Sequence, residues 1–134
     1  GKGSELFGPP GHAYVYLCYG IHWLFNVVTE PEGTCGAVLV RAVEPLEGLD
    51  YMRENRSSLR RDVDLTNGPG KLTQALAIDD RFHEQLLDGS DLYLTPGESP
   101  QASAITTTPR VGISKATDRP WRFLLTDNPY VSKA

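Results

Sequence analysis

Cysteine, basic charge and long apolar runs are all scarce in this chain. Of its 134 residues only two are cysteine, Cys18 and Cys35. Two thiols do not make a disulfide framework, so the sequence reads as a reduced, intracellular protein, with the cytoplasm as its expected location. No stretch approaches the ~18 apolar residues that a membrane-spanning helix requires, and no basic segment precedes a short apolar one as in a secretory signal. No membrane partner is expected. His12, His22 and His83 are scattered, and neither C-x-x-C nor H-E-x-x-H spacing occurs, so no metal site and no cofactor are expected. Basic residues are outnumbered, with 13 Lys and Arg against 17 Asp and Glu for a net charge of −4. That balance argues against coating a nucleic acid by bulk electrostatics. Internal repeats and low-complexity tracts are absent as well.

What is present suits one soluble folding unit. Apolar residues make up 40% and charged residues 22% of the sequence, the balance of a globular rather than a disordered chain. Residues 1–134 read as one domain, long enough for a single core. The densest feature is Gly8–Thr29, GPPGHAYVYLCYGIHWLFNVVT. Gly11–Tyr19 and Trp23–Thr29 read as the strands of a hairpin, with Gly20 and Ile21 at the tight connection. Side chains alternate along a strand, so Tyr14 and Tyr16 share one face and Val15 and Leu17 the other. Aromatic residues favour strands for packing reasons alone. A face of rings and hydroxyls also suits stacking on flat heterocycles, nucleobases among them. Both readings stand on pattern.

Further along, Ala37–Val43 (AVLVRAV) is apolar enough for a strand buried on both faces. Arg41 is out of place there, because a buried charge must be paired or must face a polar cavity. Pro45 predicts a helix start running to about Asn55, with Leu46, Leu49 and Met52 on one face. Glu44 before it suits the helix dipole. Lys71–Ile78 reads as a short helix and Arg81–Leu87 as another helical turn or two. Leu92–Thr95, Ala104–Thr108, Val111–Ser114 and Arg122–Thr126 read as short strands. The expected class is α+β, with a mainly antiparallel sheet. Arg53, Arg56, Arg60, Arg61 and Lys71 cluster against Glu54, Asp62 and Asp64. This polarised charge fits either a small phosphate footprint or a solvated surface.

Two familiar chemistries drop out. NGPGK at Asn67–Lys71 lacks the spacing of a nucleotide-binding P-loop, since Leu65 stands at the first glycine position and Leu72 follows the lysine. What survives is a glycine-rich turn that either starts a helix or offers N–H groups to an anion. No G-x-S-x-G occurs and no cysteine has a local activating base, so a covalent nucleophile is not expected.

The runs FGPPGHAYVYLCYGIHWLFNVV, VLVRAVEPLEGL, TNGPGKLTQALAI, PRVGI and PWRFLLTDNPYVS, in that order, resemble the alkyladenine (3-methyladenine, methylpurine) DNA glycosylases over nearly all of Phe7–Ser132. The resemblance implies a curved sheet with peripheral helices. It also implies a monofunctional enzyme that flips alkylated or deaminated purines out of double-stranded DNA and hydrolyses the N-glycosidic bond with water. Residue by residue, it makes Tyr16 the stacking platform for the flipped base and Asn26 the pocket-floor amide that screens for the 2-amino group of guanine. Tyr19 becomes the wedge that fills the vacated stack, with Ile21 and His22 beside it at the minor groove and Lys71 on the phosphates. Arg41 and the main-chain carbonyl of Val111 become holders of the catalytic water. A cationic alkylated purine is a good leaving group, and an electron-rich ring such as Tyr16 attracts it by ~0.5–2 kcal/mol. Without the resemblance, Asn26 reads as a strand-end amide bonding backbone.

One part of the family pattern has no match. Members carry a segment like V-E-T-E-A-Y with the general-base glutamate, followed by a histidine that stacks on the base, whereas this sequence opens GKGSELF. Glu5 falls in the loop leading to the hairpin and does not replace that glutamate. Two expectations stand: a piece of such an enzyme, or a non-catalytic module that recognises damaged DNA. A sheet edge and an apolar face left uncovered would also favour a homodimer.

Overall fold

A computed structural model describes residues 10–30, 36–57, 61–88, 91–109 and 122–132. The aromatic alternation produces a hairpin, β1 (Ala13–Cys18) and β2 (His22–Val28), with a third short strand, β3 (Ala37–Leu39), on the far side of β2. All pairing is antiparallel. Tyr14 lies opposite Asn26, Val15 opposite Phe25 and Tyr16 opposite Leu24, while Asn26 also faces Leu39 across β2 and β3. A second pair, β4 (Ile105–Thr108) and β5 (Arg122–Leu125), forms its own antiparallel ribbon. Among the described residues two helices flank the strands: α1 (Leu49–Arg56) and α2 (Pro69–Ala75). The class is α+β.

The register sorts the hairpin by chemistry. Ala13, Val15 and Phe25 point to one side and pack with Ile78 and Leu87 in the main core. A second cluster of Met52, Leu65 and Ala75 locks α1 onto α2, and Leu76 packs against both. Thr73 ties α2 to the sheet by donating its hydroxyl to the Trp23 carbonyl at 2.7 Å. Helix α2 ends at Ala75, and two residues on Ala77 turns left-handed with φ 55°. There the Ile78 N–H returns to the Thr73 carbonyl and the Ala77 N–H to that of Gln74, a Schellman closure in which alanine takes the place usually given to glycine.

Several local expectations are corrected. Pro45 does not start the helix; α1 begins at Leu49 behind a left-handed Gly48, and Leu46 is left exposed. The strand expected over Ala37–Val43 leaves the sheet after Leu39, as Val40 makes a last bond to Phe25 and Val43 turns to Thr66. Arg81–Leu87 is not helical beyond a 3-10 turn at Asp80–Phe82. It runs instead along the outer edge of β1, with a bridge between His12 and Leu86, so this edge is covered over Gly11–Val15. Leu92–Thr95 forms no strand. Val111–Ser114 lies outside the described residues. None of the described helices is long and apolar enough to cross a membrane.

Candidate functional site

The face of the hairpin turned away from the core opens on a cleft of about 890 Å³. Tyr16 from β1, Asn26 from β2 and Arg41 from just beyond β3 all line it. The opposite wall comes from β5 and the segment after it, including Arg122, Phe123 and Tyr130. Side chains two apart on a strand, or paired across it, share a face. This is why Tyr16 and Asn26 meet the same space while the intervening Val15 and Phe25 are in the core.

Each group has a definite state. Asn26 is buried, and its Nδ2 donates to the Tyr14 carbonyl at 3.3 Å. The backbone bond expected of a strand-end asparagine is therefore made, and no described residue takes its Oδ1. The Tyr16 phenol is pushed up in pKa by partial burial, reinforced by Cys18 and Tyr14, so it stays neutral and donor-capable. Arg41 is pushed down by burial and then by the neighbouring Arg122 guanidinium, although a guanidinium remains cationic in proteins. Arg41 lines the cleft, and among the described residues its head group takes no hydrogen-bond partner. Half-buried beside a like charge, it is suited to an incoming anion or a polarised water. Val111 lies outside the described residues.

Two cleft groups escaped the sequence reading. Arg122 is buried and held by the Thr108 hydroxyl at 3.4 Å and the Ser132 carbonyl at 2.9 Å. Its signal was the one that singled out Arg41, a charge inside an apolar strand. Glu44 does not serve the helix start; it lines the cleft and accepts from Asn128 Nδ2 at 3.3 Å.

The tip of the hairpin is built differently. Tyr19 and Gly20 both have positive φ, 52° and 68°, and the Ile21 N–H closes the turn on the Cys18 carbonyl at 3.1 Å. Glycine adopts this conformation freely, whereas for tyrosine it costs on the order of 1 kcal/mol or more. The strain throws the Tyr19 ring into solvent, 94% exposed, with Ile21 also exposed beside it. Tyr19 lies three residues past Tyr16, roughly 10 Å along an extended strand. His22 rests on the first turn of α2: a Cβ placed on Gly70 would come within 2.9 Å of the His22 ring. That close approach brings the tip next to Lys71, whose Nζ donates to Asn67 Oδ1 at 2.9 Å.

The arginines near α1 find local partners. Arg53 pairs with Asp50 and Asp62, and Arg61 with Asp64. Arg56 is buried and donates to Gln74 Oε1 and the Asp64 carbonyl. Carboxylates beside Arg53 and Arg61 offset those two charges, while Arg56 is spent on internal hydrogen bonds. Arg60 lies outside the described residues.

The hairpin thus has one face in the core, the other in a ring-and-amide cleft and a strained tyrosine at its tip, an arrangement into which a flat ligand would fit. Comparison with known proteins places it further. The family model for methylpurine-DNA glycosylase matches residues 2–129. Proteins of Salinibacter ruber and Prosthecochloris aestuarii, each named "Putative 3-methyladenine DNA glycosylase", are 55% and 53% identical to it over 100% and 99% of this chain. A protein of the same name from Carboxydothermus hydrogenoformans is 48% identical over 98% of the chain and 69% of its own length. The chain belongs to the methylpurine-DNA glycosylase family. It spans 65% and 64% of the length of the first two relatives.

Proposed function

We propose that this chain forms the base-recognition part of a DNA repair glycosylase that flips alkylated or deaminated purines out of the duplex and releases them by hydrolysis. Tyr16 stacks on the extruded base and Asn26 reads its edge from the cleft floor. Tyr19 enters the gap left in the stack, Ile21 and His22 follow the minor groove, and Lys71 meets the backbone. Arg41 orients the attacking water together with the Val111 carbonyl. One observation carries the reading: three residues from separate stretches, each with a family role, line a single cleft, and an exposed tyrosine is held on strained backbone at the tip of the same hairpin. The net charge of −4 and the self-paired arginines favour a small, tip-centred footprint over a broad electrostatic one.

Water activation needs a positioned carboxylate, worth ~10²–10⁴-fold in rate. Among the described residues Glu44 is the carboxylate of the cleft, and Asn128 engages it. This favours, as a second reading, a module that binds lesions without cleaving. Residues 1–134 offered a duplex with one ethenoadenine should retain it more tightly than the undamaged duplex. Release of the base supports the enzyme, and retention without release supports the binding module. Equal affinity for both duplexes would overturn both.

A further inference from the structure

We propose that His83 is a positioning residue for the aromatic wall of the cleft, acting through Tyr14 on Tyr16; this rests on the reading of the cleft as the base site. Strand β1 is the outer strand of its sheet, and residues 83–87 run along its free edge. The Leu87 N–H donates to the Gly11 carbonyl at 3.0 Å, the Ala13 N–H to the Gln85 carbonyl at 2.8 Å, and the Glu84 N–H to the Ala13 carbonyl at 2.8 Å. Glu84 and Gln85 thus oppose one residue of β1, the arrangement of a β-bulge, which often re-aims a side chain. Glu84 adopts φ 68° to make it, a left-handed conformation unfavourable for a glutamate.

The bulge changes what meets the next donor. Val15 N–H would face a backbone carbonyl in a regular ladder; here it donates to His83 Nδ1 at 3.0 Å. Nδ1 therefore accepts and the ring proton sits on Nε2, 3.4 Å from Glu84 Oε1. The Val15 bond holds the ring in place against the edge of β1, with Nε2 near an exposed carboxylate. Its edge meets Tyr14 with centroids 5.0 Å apart and planes at 74°, and Tyr14 meets Tyr16 at 5.7 Å and 53°. A carbonyl would satisfy Val15 equally well without straining Glu84. What the histidine adds is a clamped ring against the first of two linked tyrosines, the second of which lines the cleft.

Two substitutions separate acceptor from ring. His83→Asn keeps an acceptor at the position of Nδ1, since both atoms are two bonds from Cβ, but removes the ring. His83→Phe keeps a ring and loses the acceptor. Melting temperature, the Tyr16 ring resonances and the ratio of affinities for ethenoadenine and undamaged duplexes are measured on the full 134-residue chain. The expected result is that His83→Asn melts close to the parent, shifts the Tyr16 ring signals and lowers lesion selectivity about tenfold. His83→Phe lowers the melting temperature and broadens those signals. Parental Tyr16 signals in His83→Asn, or a selectivity that merely follows the melting temperature across both variants, would overturn the positioning role. If the parent itself shows no lesion preference, the base-site reading falls, and the Tyr16 signals still decide the link from His83.

Discussion

The two faces of the hairpin are made from the same twelve or so residues, yet they do opposite things. On the core face Ala13 and Phe25 are 0% and 5% exposed and packed among aliphatic neighbours. On the cleft face Tyr16 is 40% exposed, and the buried Asn26 carboxamide lines the cleft. The period-2 alternation of a strand allows this separation, because adjacent residues contribute to stability or to recognition with little overlap. The tip carries the separation further. There the backbone holds a tyrosine against its own preference, and strain of that kind persists where surrounding structure over-determines it.

The sharpest way to break the comparison is to empty the core face. Phe25→Ala should destabilise the chain by about 3–5 kcal/mol, the cost of truncating a buried phenylalanine. That is a large share of the ~5–15 kcal/mol available to a small domain. Urea denaturation measures it, and the folded fraction should keep its preference for damaged duplex. On the cleft face, Tyr16→Ala should remove base stacking of ~1–3 kcal/mol, or roughly 5- to 150-fold in lesion affinity. Its urea midpoint should stay near that of the parent.

At the tip the prediction divides stability from selectivity within one residue. Tyr19→Gly should be at least as stable as the parent, since glycine adopts positive φ without penalty. It should nonetheless lose lesion selectivity as fully as Tyr19→Ala, with binding to undamaged duplex nearly unchanged because that term comes from phosphates. Equal losses on both duplexes would remove Tyr19 from the wedge role.

The smallest effect concerns carboxylates remote from the cleft. Asp79 caps the 3-10 turn through the Arg81 N–H and also pairs with the Arg81 guanidinium. Arg81's side chain and N–H hold its carboxyl below the usual range, as Arg61, with lesser help from Lys71 and Asn67, does for Asp64. A lowered folded pKa contributes stability that is present above the unfolded value of about 3.9 and is lost as pH falls through the folded one. Both groups are partly exposed and screened by solvent, so the loss should be slight and confined to pH below about 4. Asp79→Asn should flatten that acid limb in a pH series of melting temperatures without moving lesion affinity at pH 7.

Much of the hairpin was legible because alternation is a local signal. Tyr14 and Tyr16 on one face and Val15 on the other follow from spacing alone, and the misfit of Arg41 in an apolar run pointed to a cavity before the cavity was seen. What stayed hidden depends on distant partners. Glu44 is claimed by Asn128, 84 residues away, and nothing near Glu44 announces it. The stretch from Arg81 to Leu87 looks helical by composition, yet the unpaired edge of β1 recruits it. That edge also draws in His83, whose role in the wall was invisible for the same reason. The arginines near α1 fit either a footprint or a solvated surface in the sequence, because charges are visible there without their pairing.

The central claim is that recognition resides on one face of the hairpin and stability on the other. Its most direct test is a single competition assay, ethenoadenine against undamaged duplex, run with Tyr16→Ala, Asn26→Ala and the core-face control Val15→Ala, with melting temperatures recorded alongside. The account predicts that the two cleft variants lose selectivity, Tyr16→Ala at a melting temperature close to the parent's, and that Val15→Ala melts markedly lower while its folded molecules keep the parental selectivity. Parental selectivity in both cleft variants, or a loss of selectivity in Val15→Ala as large as theirs, would contradict it.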